Sequence, residues 1–319
     1  GPEIEQFEKK LAKFIGTKYV LVFNSGTSAL HTLMLAHNIK GFDVIVPSFT
    51  FVATASAVLL AGGNPIFAES EHDTFGLHIK DVESKITGKT KAIVQLHYGG
   101  FPAKDTKKLR DMADKRNILL IEDAAESLGA TFNGKKVGTL GHSAIFSFCQ
   151  NKIISTGEGG AIATNSQEVY EKAKLLRSHG RVEHSQDYFS NIGNNDYIEP
   201  GYNFRMPTFS AALGLTQLKK INKNINKRRN LAFLFTKELS KIPDITLPKE
   251  SDGTKSIYQM YPIRLKDSKT RDELQSYLAS KGIMSKIYFQ PLHLMTIFTK
   301  MGYKKGDLPM TEWLSNRIL

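Results

Sequence analysis

Seven short runs along the chain are almost continuously apolar: YVLVF (19–23), DVIVP (43–47), PIFAE (65–69), AIVQL (92–96), ILLIE (118–122), AIFSF (144–148) and AIATN (161–165). A strand wetted on one face alternates polar and apolar residues, whereas a strand covered on both faces does not. The runs therefore predict buried strands of a mostly parallel sheet. Between them, TSALHTLMLAHNI and TKKLRDMADKRN repeat apolar residues at helical spacing, and this alternation predicts an α/β fold. The last link is different. Only residues 149–160, with three glycines, join AIFSF to AIATN. A parallel crossover needs about a dozen residues or more, usually a helix, so AIATN is expected to run antiparallel to its predecessor.

Beyond the sheet the pattern predicts a long helix from Thr208 to about Leu239. Then come a strand in IYQMYPIRL, a helix in RDELQSYLASKG closed by Gly282, and a strand in IMSKIYF. This divides the chain into a large α/β domain (1–230) and a smaller C-terminal α+β domain (231–319), whose last residues, Ile318-Leu319, read as an unfinished element.

At 319 residues and 41% hydrophobic content, the chain can bury a large core and is long enough for two lobes. The net charge of +12 suits a phosphorylated ligand, but much of it lies in KKINKNINKRR (219–229), which reads as a solvated helix face. No zinc, RRM or helix-turn-helix pattern supports nucleic-acid binding. A single cysteine, Cys149, points to a reducing, cytoplasmic setting. No apolar run reaches the ~18 residues of a membrane helix; FVATASAVLLAGG comes nearest and is broken by Gly62 and Gly63. No secretory leader is visible, and Gly1-Pro2 reads as a cleavage scar.

Ligands of open α/β sheets collect beyond the carboxyl ends of the strands, and the polar residues gather there. NSGTSALH follows the first run, SFTF the second and HYGG the fourth; Asp123 and AAES follow the fifth, and Ser147 and Lys152 the sixth. Gly26, Thr27 and Ser28 open a helix whose free N–H groups favour an anion, although Ser and Thr are also ordinary helix caps. Asp123 ends a buried strand and needs a cation or strong donor facing it, or else it caps the following segment. Lys152 lies in a glycine-rich link at the same rim, where partial removal from water makes an amine nucleophilic. Amine, anion site and buried carboxylate together fit an aldehyde cofactor with a phosphate handle and a pyridine nitrogen, as in pyridoxal 5′-phosphate (PLP).

The stretches GPEIEQFEKKLAKFIGTKYVLVFNSGTSALH, DVIVPSFTFVATA, EDAAESLGATFNGKKVGTLG, FSFCQNKIISTGEGG and GYNFRMPTFSAALGLTQL resemble the DegT/StrS sugar aminotransferases, in family order. The resemblance implies fold type I of the PLP-dependent transferases, like aspartate aminotransferase, with a seven-stranded, mostly parallel sheet containing one antiparallel strand. Members usually carry an extra N-terminal arm and a final strand and helix in the small domain, so the chain is expected to be clipped. Carried over by motif, Lys152 would join the cofactor aldehyde and later shuttle the substrate proton. Asp123 would contact the ring nitrogen, Glu126 the neighbourhood of the ring hydroxyl, and Phe51 a face of the ring. Gly26, Thr27, Ser28 and Ser147 would hold the phosphate. Asn203 would reach the phosphate of a neighbouring subunit, which implies a homodimer with shared sites. In IYFQPLHLM, Tyr288 and His293 are candidates for the substrate pocket.

The resemblance further implies amino transfer, usually from glutamate, to a keto group of a nucleotide-linked sugar. FSFCQNKIISTGEGG and EDAAESLGA resemble perosamine synthase relatives most, favouring C4 over C3. Two other readings are a sugar dehydratase, whose relatives carry histidine in place of the lysine, and a non-catalytic regulatory member that retains the site. Cys149 has no histidine pattern beside it and reads as a small buried residue. His97, His142 and His179 are scattered, so no metal is expected. RSHGR (177–181) is expected to be a loop near the mouth of the site.

Overall fold

The computed structural model describes residues 1–182 and 196–319. Its strands, numbered along the chain, are β1 (Tyr19–Phe23), β2 (Asp43–Pro47), β3 (Asn64–Ala68), β4 (Thr90–Leu96), β5 (Leu119–Asp123), β6 (Thr131–Phe132), β7 (Lys135–Lys136), β8 (Ser143–Ser147), β9 (Gly160–Thr164) and β10 (Thr254–Lys255). Seven of them form one sheet in the order β1-β9-β8-β5-β4-β2-β3, and each coincides with a predicted run to within two residues. Strand β9 pairs antiparallel with both β8 and β1, while the remaining pairs are parallel. The expected reversal is therefore present. Its cause is the compact turn between Phe148 and Gly159, closed by Phe148 N–H donating to the Gly159 carbonyl (2.8 Å) and Thr156 N–H to the Phe148 carbonyl (2.9 Å).

Helices cover both faces of the sheet, which is why its strands are apolar throughout. On one face, helices Gly26–Ala36, Ala53–Leu60 and Gln167–Arg177 share a core with Phe23, Val46, Val94 and Ile145. On the other face, Phe7 and Leu11 of helix Pro2–Ile15 pack with Val22, Phe146 and Ala163, and with Ala211 of helix Thr208–Leu218. Each fully buried aliphatic or aromatic side chain contributes about 1.5–3 kcal/mol, so the sheet is the rigid part of the molecule.

The long helix expected from Thr208 is two helices, Thr208–Leu218 and Ile221–Leu239, with a break at Lys219 and Lys220. Position 230 falls inside the second, which is anchored to the large core through Ile221 and Ile225. In the C-terminal part, helix Ser268–Ser280 opens with the Asp267 carboxylate accepting from Thr270 N–H (2.8 Å) and ends before Gly282, at φ +75°. The strand expected within 257–265 reduces to single bridges of Arg264, with Thr246 and with Ile318, and the run expected within 283–289 forms no bridge. An extended run becomes a strand only where a neighbouring backbone takes up its N–H and C=O groups over several residues; here that pairing is one residue long on each side of Arg264 and absent at 283–289. Strands β6, β7 and β10 form a second, small antiparallel sheet that ties residue 254 to the large lobe. Among the described residues no helix is long and apolar enough to cross a membrane.

Candidate active site

Strands β5 and β8 are parallel and neighbours, so Asp123 and Ser147 end at one edge of the sheet. The turn carrying Lys152 follows β8 directly, with Lys152 N–H donating to the Cys149 carbonyl (3.1 Å). Strand β9 starts from that edge at Gly160, beside Phe23 and Ser147, and so brings the Asn24-Ser25-Gly26 segment to the same place. Topology alone thus gathers the amine, the carboxylate and the helix opening.

The Lys152 and Glu126 side chains are only 9% and 5% exposed, and Lys152 Nζ lies 3.2 Å from Glu126 Oε1. The second Glu126 oxygen accepts from Gly99 N–H (2.9 Å), fixing the carboxylate against the Tyr98–Gly100 turn. Asp123 is buried; its Oδ2 accepts from the Thr54 hydroxyl (2.7 Å) and its Oδ1 from Ala125 N–H (3.2 Å). Burial pushes the Asp123 carboxyl above the usual range, against the opposing pull of Thr54, the Ala125 N–H, Lys152 and His97. A buried carboxyl whose donors only partly offset its desolvation is suited to one more cationic N–H. A protonated ring nitrogen would supply that.

The phosphate candidates form a cradle. Ser25 caps helix Gly26–Ala36, its hydroxyl accepting from Ser28 N–H (3.0 Å) and lying 2.8 Å from the Ser28 hydroxyl. The N–H groups of Gly26 and Thr27, in the first turn, have no acceptor within the helix. Gly26 touches Ser147: a Cβ at Gly26 would stand 3.1 Å from Ser147 Cβ. Gly160 is tighter, because a Cβ there would come 2.4 Å from the Ser25 carbonyl oxygen and 2.6 Å from Gly26 N. The loop can sit on the end of β9 only because that strand begins with glycine.

The remaining candidates divide. Phe51 is 55% exposed, with its ring 6.4 Å from that of Phe289. Tyr288 is half-buried, and its phenol is pushed well up by burial and then by the charges of Glu126, Cys149 and Asp123, so it lies within electrostatic reach of those groups. His293 does not face those groups. It has no exposed surface, Nδ1 is 2.7 Å from the Ser48 hydroxyl and Nε2 is 3.1 Å from Glu312, so the ring joins the end of β2 to helix Pro309–Ser315 and has no nitrogen left for a substrate. Asn203 is exposed, in a segment whose neighbour Phe204 accepts from Asn24 N–H (2.9 Å). It therefore stands beside the cradle. RSHGR ends helix Gln167–Arg177, with His179 N–H donating to the Tyr202 carbonyl (2.9 Å).

Three residues escaped the sequence reading. Thr54 holds Asp123, and Gly160 admits the Ser25-Gly26 loop. Glu122 is fully buried and accepts from Gly138, Leu140 and Gly141 N–H and from His97 Nε2 at 2.6–3.0 Å, pinning the strand end that carries Asp123. A polar residue inside an apolar run was the only available signal for Glu122, and a single threonine among the small residues of FVATASA carried none.

The family model of the DegT/DnrJ/EryC1/StrS aminotransferases matches residues 1–319. GDP-perosamine synthase of Escherichia coli O157:H7 is 35% identical over 327 residues, covering 99% of this chain and 87% of that protein. UDP-4-amino-4,6-dideoxy-N-acetyl-beta-L-altrosamine transaminase of Campylobacter jejuni (strain 81-176) is also 35% identical, over 94% of this chain and 79% of its own length. The Streptococcus pneumoniae protein Spr1654, solved in its PMP form, superposes with a TM-score of 0.90 at 25% identity, over 100% of this chain and 86% of that one. Aminotransferases of this family are PLP enzymes acting on sugars. The match runs through every strand end that carries a polar candidate, and by it the chain belongs to the DegT/DnrJ/EryC1/StrS aminotransferase family.

Proposed function

We propose that this chain is a cytoplasmic, homodimeric aminotransferase that moves an amino group from glutamate to the C4 keto group of a nucleotide-linked deoxysugar. The observation that carries the reading is the Lys152–Glu126 pair, with Lys152 acting on the Asp123 charge, at the sheet edge where helix Gly26–Ala36 opens. PLP, when bound, supplies an electron sink that acidifies a C–H bond next to nitrogen.

The residues divide the remaining work. Gly26 and Thr27 N–H with the Ser28 and Ser147 hydroxyls bind the phosphate, where the helix dipole favours an anion. Asp123, as an anion, would accept a hydrogen bond from the protonated ring nitrogen and so keep that nitrogen charged. Phe51 covers one face of the ring. Lys152 provides the amine that holds the cofactor and the base that takes and returns the substrate proton. Glu126 orients that amine from 3.2 Å. The clustered rings of Phe49, Tyr98 and Phe289 back the pocket and keep water out.

The name of the Campylobacter relative places an amino group at C4, and with the perosamine synthase likeness this favours C4 over C3. Tyr288 is the side chain proposed to meet the sugar. The net charge of +12 suits a diphosphate-linked substrate. Exposed Phe51 and Val52, beside helix Ala53–Leu60, and exposed Phe209 and Leu213 of helix Thr208–Leu218 favour a second copy covering part of this surface, with Asn203 reaching the partner's phosphate. The test is a panel of 3-keto and 4-keto nucleotide sugars incubated with glutamate, reading 2-oxoglutarate. Turnover with a 4-keto compound is expected; turnover confined to 3-keto compounds, or none at all, overturns the assignment.

A further inference from the structure

Asp123 does not act alone. Thr54 lies in the first turn of helix Ala53–Leu60, and Thr50 lies four residues before it, in the bend after β2. Both threonines are 1% exposed. The Thr54 hydroxyl donates to Asp123 Oδ2 at 2.7 Å, and the two threonine hydroxyls are 3.0 Å apart. Proton counting orders the chain. A carboxylate only accepts and a hydroxyl has one proton, so the Thr54 hydroxyl donates its one hydrogen bond to Asp123 and Thr50 must donate to Thr54. The arrangement is a one-way relay of two buried hydroxyls ending on the carboxylate. Bonds in such a chain polarise one another, and the outer hydroxyl fixes the direction of the inner one.

We propose that Thr54, backed by Thr50, is the positioning residue that aims the Asp123 carboxylate at the cofactor's ring nitrogen. This rests on the reading of Asp123 as the ring-nitrogen partner. With Ala125 N–H on Oδ1 and Thr54 on Oδ2, both oxygens are held in direction and each keeps a lone pair free. Without the Thr54 hydroxyl, Oδ2 loses its donor and the carboxyl is free to turn. Burial already works against its charged form, and removing a donor adds to that.

The experiment titrates cofactor-free protein with ¹⁵N-labelled PLP, reading the dissociation constant and the ¹⁵N shift of the ring nitrogen. A hydrogen bond to a charged group is worth roughly ten-fold or more in a binding constant. Thr54→Val is therefore expected to weaken PLP about ten-fold and move the ring nitrogen towards its unprotonated shift. Thr54→Ser, which restores the hydroxyl, should recover both. Equal losses in Ser and Val would assign the effect to packing and overturn the proposal. Asp123→Asn separates the two layers. If it leaves shift and affinity at wild-type values, the reading of Asp123 is what fails; if it changes both while Thr54→Val changes neither, the relay alone is overturned. Should Thr54→Val not accumulate as folded protein, Thr50→Val carries the test: about three-fold weakening supports the relay, and no change overturns it.

Discussion

Gly160→Ala is the substitution whose effect follows most directly from the packing. The added methyl would stand 2.4 Å from the Ser25 carbonyl oxygen, 2.5 Å from the Ser25 carbonyl carbon and 2.6 Å from Gly26 N. All three are backbone atoms, so no side chain can rotate away. Ordinary contact lies about 1 Å further out, and either β9 or the loop opening helix Gly26–Ala36 must move by that amount. Strand β9 is paired on both sides, with β1 and β8, so the loop is expected to give. Overpacking of this kind costs about 1–3 kcal/mol. The same movement displaces the first-turn N–H groups from the phosphate, and a misplacement of about 1 Å in a binding site costs on the order of a hundred-fold. Urea denaturation of the cofactor-free protein measures the first effect, and PLP titration followed by absorbance measures the second. Gly88→Ala is the control, because a Cβ there meets nothing within 4 Å; it should change neither. A Gly160→Ala protein that binds PLP within two-fold of wild type, with an unchanged urea midpoint, would refute the packing account of the cradle.

Two further outcomes are expected. At the opposite edge of the sheet, His37 is buried, bonds Ser143 through Nε2 (2.8 Å), and is held down to about 4 by burial, with His142 and Lys91 adding to the effect. A folded value below the unfolded one near 6.5 means that its contribution is fully present above pH 6.5 and is lost as pH falls towards 4. The loss amounts to about 3 kcal/mol, and His37→Gln should flatten the stability curve across that window in urea melts at stepped pH; an unchanged curve would remove His37 as the cause. For the shared site, mixing Lys152→Ala with Asn203→Ala subunits should restore part of the activity, whereas no recovery despite subunit exchange verified by native mass spectrometry would count against Asn203 acting across the interface.

The sheet was legible because its strands are covered on both faces and read as uninterrupted apolar runs, and β9 could be turned round from the length of its link alone. The two-helix break at Lys219 and Lys220 was not legible: TQLKKINK contains no glycine or proline to mark it, and Ile221 beyond the break is buried in the core like Ala211 before it. The runs at 257–265 and 283–289 have the composition of strands, yet strand formation requires a neighbour, and composition does not name one. At the site, Lys152, Asp123 and Glu126 could be gathered because each follows a strand that ends at one edge. His293 shows the opposite case. Its motif suggested a substrate contact, but Ser48 and Glu312 occupy both ring nitrogens, and these partners lie 245 and 19 residues away in the chain. Thr54 and Gly160 owe their importance to single contacts across the fold, which no local pattern encodes.

The claim on which the account depends is that the amine of Lys152 carries the cofactor. Protein loaded with PLP should be reduced with borohydride, digested, and mapped by mass spectrometry. The account predicts one pyridoxyl-phosphate adduct, on the peptide containing Lys152, and none in Lys152→Ala. An adduct on another lysine, or a fully retained adduct in the variant, would contradict it.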